Sequence, residues 1–203
     1  TDVEHFHPHR RDPEIWKRWN MNGKVKILYV GRVSKEKDLD ILTQAFLQVK
    51  KQRADVELVI VGDGPYLEEL KHIMKNEDGV LFAGFQEGEN LAKIYASSDI
   101  FAFPSTTDTY GSVVLEAQAS ALPVVVSDKG GPKEVIIPDK TGLVTRAKDI
   151  DDFAGALLKL VEDEELREKM GYEGRLHVEN KSWENAFQAF WDGQKGLRYK
   201  PRD

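Results

Sequence analysis

A chain of 203 residues with 40% apolar and 32% charged side chains can build one large or two small domains of ordinary folded character. Its net charge of −6 argues against a general nucleic-acid binder, because phosphate contacts need a basic surplus. The lack of cysteine excludes disulfide scaffolds, cysteine nucleophiles and thiolate zinc sites, and no apolar run is long enough to predict a membrane span.

Residues 1–22 carry no long periodic pattern and read as a linker or hinge, with a short helical turn around Ile15, Trp16 and Trp19. His5, His7 and His9 alternate there beside a proline, a pattern compatible with a metal site but better explained by a polar hinge. From Lys24 a rhythm of strand and helix begins. Val25–Val30 is an apolar strand ending at Gly31, and residues 38–51 place Leu39, Leu42, Ala45, Phe46 and Val49 at helical spacing. Val56–Val61 is a second strand, stopped by Gly62-Asp63-Gly64-Pro65, with Pro65 suited to open the next helix. Residues 80–82 form a short strand and residues 91–96 a helix. Ile100–Phe103 is a strand, 111–121 a helix, 123–127 a strand and 142–144 another. From Ile150 to about Gly193 the pattern is almost wholly helical; His72 and His177 fall on polar helix faces, and Trp183, Phe187, Phe190 and Trp191 mark a packing face on the last helix.

Apolar strands alternating with amphipathic helices predict an α/β fold, a Rossmann-like doubly wound parallel sheet with both faces covered and a helical C-terminal tail. Ligands of such sheets bind in the crevice at the carboxyl ends of the strands. The segments that follow predicted strands are therefore expected along one edge: Gly31-Arg32, Gly62-Asp63-Gly64, Gly84-Phe85-Gln86 and residues 104–111.

Arg32 offers a planar fork of donors suited to phosphate, and Lys37 a compact charge that reaches a second oxygen. Gly62 and Gly64 either let backbone approach a ligand or simply form a turn with Asp63 as its cap. Phe85 and Gln86 either hold a nucleobase or leave Phe85 capping the core. Glu134 is a helix cap or a second lining group. No third glycine completes a dinucleotide fingerprint, and no phosphate loop of the GxxxxGK[ST] kind occurs.

The most informative stretch runs from Asp108 to Glu116. Two acids stand eight positions apart, with Gly111 between them at a predicted helix start. The glycine lets a ligand press against the backbone, and the free N–H groups of the first turn, from Tyr110, Gly111, Ser112 and Val113, favour an anion. Glu116 lies among apolar neighbours, where a carboxylate is costly without a partner. Acids beside an anion-attracting helix start suggest a ligand with phosphates and a polyol, as in a nucleotide sugar.

Seven segments in order carry a resemblance: Gly31-Arg32-Val33 with Glu36-Lys37; 59–65; 80–85; 95–100; Phe103-Pro104-Ser105; 108–116; and Leu122-Pro123-Val124-Val125. Together they resemble the C-terminal, donor-binding domain of GT-B fold glycosyltransferases of family 4, the retaining group 1 enzymes. The resemblance implies transfer of a sugar from a nucleotide diphosphate sugar, such as a UDP- or GDP-sugar, with no metal and no cofactor. It maps the family's EX7E motif onto Asp108 and Glu116. Glu116 would hold the ribose, Asp108 and the amides of Tyr110 to Val113 the sugar and diphosphate, and Arg32 with Lys37 the departing diphosphate. Asp108 replaces the usual glutamate, as in a subset of lipid-directed and sulfosugar members. Asp38 and Ala121 stand where the family commonly has glycine.

The resemblance also implies organisation. Residues 1–22 are expected as a hinge from a preceding acceptor domain absent from this chain, 23–180 as the donor domain and 181–203 as a C-terminal helix and tail. A lipid or glycan acceptor would sit on the preceding domain, which would leave the isolated chain inactive. The expected location is cytoplasmic, with any peripheral attachment at the inner membrane face through that other domain. The alternatives are a non-catalytic nucleotide-sugar binding module, or a sugar-nucleotide epimerase or phosphorylase on the same fold.

Overall fold

The computed structural model describes residues 1–181 and Phe187. Six strands form one sheet: β1 (Val25–Val30), β2 (Val56–Val61), β3 (Val80–Gly84), β4 (Ile100–Phe103), β5 (Val124–Ser127) and β6 (Gly142–Thr145). They stand in the order β3-β2-β1-β4-β5-β6, and every neighbouring pair is parallel. The chain builds outward from β1 to β3, returns to place β4 on the other side of β1, and builds outward again. That reversal opens a crevice at the carboxyl ends of the central strands.

β1 and β2 are buried along their whole length, as strands covered on both faces must be, whereas the edge strand β3 is half-buried. The two charges within the central strands, Lys26 and Glu57, stand opposite each other in register and pair at 2.9 Å. Either one alone would be a costly buried charge. The helices are α1 (Leu39–Gln52), α2 (Leu67–Ile73), α3 (Gly88–Ser97), α4 (Ser112–Ala119), α5 (Ile150–Glu162) and α6 (Glu164–Asn180). α1 packs against α5 and α4 against α6. Tyr29, Phe46, Tyr95, Phe101, Phe103 and Phe153 are fully buried between the layers.

Several boundaries differ from the sequence expectation for local reasons. α2 begins at Leu67, two residues after Pro65, because the Tyr66 N–H is committed to Val33 O at 3.0 Å and binds the turn to the loop after β1. The helical tail is two helices: the Asp163 carboxylate accepts the Leu166 N–H at 2.9 Å, capping α6 and ending continuity with α5. α4 is shorter at both ends. It starts after Gly111 in a left-handed conformation, and it closes with Leu122 N–H on Ala117 O and Ala121 N–H on Gln118 O. That is the Schellman pattern, and it puts Ala121 at φ +59°.

Residues 1–22 are not a loose linker. Phe6, Ile15, Trp16 and Met21 are buried, and Trp16 Nε1 donates to Ser97 O at 3.0 Å. The buried guanidinium of Arg175 on α6 donates to Val3 O and Phe6 O, each at 2.8 Å, and to Ala119 O at 2.6 Å. Apolar side chains and a shared donor thus bind the segment into the body of the domain. His7 accepts the His9 N–H on Nδ1, so one of the three alternating imidazoles is committed to its own turn. His72 is exposed, but His177 is half-buried rather than solvated; burial holds its pKa below the usual value. Phe187 is exposed, and Trp183, Phe190 and Trp191 lie outside the described residues. No helix among the described residues is long and apolar enough to cross a membrane.

Candidate functional site

At the carboxyl ends of β1 and β2 lies a cavity of about 430 Å³. Gly31 and Arg32 reach it from β1, Gly62 and Asp63 from β2, Phe85 and Gln86 from β3, and Val113 and Glu116 from α4. The walls come close because of Gly62. A Cβ there would stand 1.9 Å from Gly31 O, so no other residue lets the ends of β1 and β2 lie side by side. The Asp63 carboxylate does not cap α2; it accepts the Gly64 N–H at 2.7 Å within the turn.

Glu116 is half-buried, and Oε2 accepts the Tyr95 hydroxyl at 3.0 Å. Burial raises its pKa above the ordinary value, and the Tyr95 bond pulls it part of the way back. This carboxylate has the partner that an acid in an apolar stretch requires. The guanidinium of Arg32 is exposed and makes no hydrogen bond or ion pair among the described residues, which leaves its fork of donors available. Gln86 spends its amide locally, donating to Ala83 O at 2.7 Å and accepting from Asn90 at 2.9 Å. Phe85 is 70% exposed and stands at the cavity instead of capping the core.

Lys37 and Asp108 do not line this cavity. They pair with each other at 2.8 Å, both half-buried, and join the loop after β1 to the loop after β4. Three further bonds make the junction a clasp. Thr107 Oγ1 donates to Glu36 O at 3.0 Å, and the Asp38 carboxylate accepts from Thr106 at 3.1 Å (N–H) and 2.7 Å (Oγ1). Asp38 stands at φ +53°, so the position that resembles a family glycine keeps the glycine conformation here with a carboxylate. Asp tolerates that region better than most residues, and its side-chain bonds offset the strain. The clasp borders the cavity: the buried Tyr29 hydroxyl donates to Arg32 O at 2.9 Å, and its pKa is driven up by burial first and by Asp108 next.

Gly111 caps α4, and the N–H groups of Ser112 and Val113 have no partner among the described residues. They form the positive end of α4, with Val113 on the cavity wall. Tyr110 is 64% exposed. Gly131 N–H donates to Asp108 O at 2.7 Å and so fastens the start of this loop. Glu134 is exposed in a short turn and lines no part of the cavity. Among the expected residues, Gly31, Arg32, Gly62, Phe85, Gln86, Val113 and Glu116 meet at one cavity. Lys37, Asp108, Tyr110, Gly111 and Ser112 lie along the adjoining loops, and Gly64 sits in the turn before α2. Tyr95, Asp38 and Asp63 were not expected as ligand-site supports. Tyr95 belonged to a recognisable segment, but its hydrogen bond depends on how α3 and α4 pack.

Comparison with known proteins adds an independent line. The model of the family "Glycosyl transferases group 1" matches residues 11–177. A sulfoquinovosyl transferase of Arabidopsis thaliana is 36% identical over 92% of this chain and 36% of its own length. A GDP-mannose-dependent alpha-mannosyltransferase of Mycobacterium tuberculosis is 35% identical over 90% of this chain and 46% of its own. The chain therefore spans less than half the length of these relatives. The crystal structure of the C-terminal domain of a group 1 glycosyl transferase from Francisella tularensis superposes with a TM-score of 0.79 at 26% identity, covering 89% of this chain and 97% of that one.

Proposed function

The chain belongs to the glycosyl transferases group 1 family, and from that premise we propose that it is the donor-binding half of an enzyme that moves a sugar from a nucleotide diphosphate sugar to an acceptor. One observation carries the reading: Arg32, a free cation, and Glu116, a partnered acid, line the same cavity at the carboxyl edge of the sheet. A nucleotide diphosphate needs both an acceptor for its ribose hydroxyls and donors for its phosphates.

In this reading Phe85 flanks the base and Glu116 accepts from the ribose. The diphosphate lies toward Arg32 and the free N–H groups of Ser112 and Val113. Lys37 and Asp108 flank the transferred sugar and the leaving phosphate. Charge grows on the diphosphate as the glycosidic bond breaks, so fixed cations stabilise the transition state more than the ground state. Retention would follow if the acceptor attacks from the face the diphosphate leaves, with the departing phosphate taking its proton. The relatives named for GDP-mannose and sulfoquinovosyl transfer support a hexose-type donor. The acceptor, a lipid or glycan, would sit on a preceding domain, and the chain alone would bind donor and transfer little, because catalysis needs both reactants held together.

Calorimetric titration of the chain with UDP-, GDP- and ADP-sugars tests the reading. Saturable binding to one of them, weakened by Arg32→Ala and by Glu116→Gln, is expected. Absence of binding to all three at millimolar ligand would overturn it.

A further inference from the structure

The proposed grip of Glu116 on the donor needs a carboxylate held in one place. α4 supplies the backbone position but not the rotamer, since the Glu116 side chain reaches into an open cavity. The fixed point comes from α3. Tyr95 has no exposed surface, and its ring is held edge-on by Phe6 at 5.4 Å and by the tilted ring of Phe101 at 5.7 Å. A phenol packed in this way cannot swing, so its hydroxyl is a rigid donor. It donates to Oε2 of Glu116 at 3.0 Å, with Val113 O a more distant acceptor at 3.4 Å, and Oε1 accepts nothing among the described residues.

We propose that Tyr95 is a positioning residue for nucleotide binding: its hydroxyl anchors one oxygen of Glu116 and leaves the other to take the ligand's hydroxyl groups. The inference rests on the reading that Glu116 contacts the donor. The same bond favours the ionised form of the acid. Burial pushes the Glu116 pKa up, and the Tyr95 bond opposes it, followed by weaker help from His5. Arg32 and Asp63 are the other charged side chains on the cavity wall. The segment that clamps Tyr95 through Phe6 is in turn fastened by Arg175, so residues 1–8 contribute indirectly to the order of the site.

The test titrates UDP and GDP into the wild-type chain and Tyr95→Phe by calorimetry, from about pH 5 to 8. Loss of a hydrogen bond to a charged group is expected to weaken binding about tenfold near neutral pH. The pH at which affinity falls by half should also move upward in the variant. In a Glu116→Gln background, Tyr95→Phe should cause no further loss. Wild-type affinity with an unchanged pH profile, or losses that add in the double variant, would overturn the proposal.

Two controls keep it decidable. If the wild-type chain binds neither nucleotide, the donor reading fails. Tyr95 is then judged by carbon NMR titration of the Glu116 carboxyl, where an upward shift in Tyr95→Phe supports the anchor and equal titration overturns it. If Tyr95→Phe does not fold, the Tyr95 hydroxyl proton of the wild type is compared with that of Glu116→Gln. A displaced resonance supports the bond, and an identical one overturns it.

Discussion

Lys37 and Asp108 lie 71 positions apart and hold each other at 2.8 Å, tying the loop after β1 to the loop after β4. Both side chains are shielded, at 18% and 25% exposure, so the pair is more than a surface contact. It presents an ammonium already neutralised, which an arriving diphosphate must share or take over.

Replacing that ammonium separates binding from stability. Lys37→Met is expected to change the urea unfolding free energy by about 1 kcal/mol or less, as for other single ion pairs that retain some solvent contact. It should weaken UDP or GDP binding roughly tenfold by removing a charge-assisted contact. Unfolding curves and calorimetry on the same protein check both halves.

Glu116 is expected to reverse the usual relation between function and stability. Its folded pKa is raised above the ordinary value of 4.5 by burial, so its contribution to stability is fully present below the unfolded value and is lost as pH rises through the folded one. Ionising the acid therefore stands against folding. Glu116→Gln should raise the melting temperature near neutral pH, and the gain should vanish toward pH 4, while nucleotide affinity falls about tenfold or more at pH 7. Melting curves across that range, read beside binding, decide it.

Arg175 fastens the first residues to the domain through three backbone carbonyls, at Val3, Phe6 and Ala119, and through Glu179. Arg175→Met leaves those acceptors, two of them buried, without their donor and is expected to cost about 3 kcal/mol. It should also expose residues 1–8 to protease cleavage while the sheet stays intact. Urea unfolding and limited proteolysis with mass readout measure these two effects.

Ala121 sits at φ +59° in the turn that closes α4. An L side chain in that region costs roughly 1–2 kcal/mol, part of which glycine returns through its greater freedom when unfolded. Ala121→Gly is expected to stabilise the chain by about 0.5–1 kcal/mol, raising the melting temperature by roughly 1–3 °C. Asp38, in the same conformation, should not gain from glycine, because its carboxylate also holds Thr106.

Much of the site can be read along the chain. Gly31, Gly62 and Gly84 end consecutive strands, so Arg32, Asp63 and Phe85 must emerge at one edge of a parallel sheet. The acid at 116 was conspicuous because its neighbours are apolar. Less legible were residues whose role depends on a partner from a distant element. Nothing in the 1–22 stretch shows that Phe6 and Trp16 are buried, since their partners come from α3 and α6. The capping role of Asp163 was hidden inside a long helical pattern, where an acid before a new first turn looks like any other polar helix residue.

The sequence by itself determined the parallel α/β architecture, the family and the rim of the sheet where a ligand belongs, because alternation of apolar runs, helical spacing and glycine-bearing turns are properties of neighbouring residues. Only the tertiary structure decided that Lys37 spends its charge on Asp108, that Tyr95 holds Glu116 and that Arg175 binds the first residues to α6. Those contacts join side chains far apart in the chain, and their formation depends on how helices settle on the sheet, which no local pattern encodes.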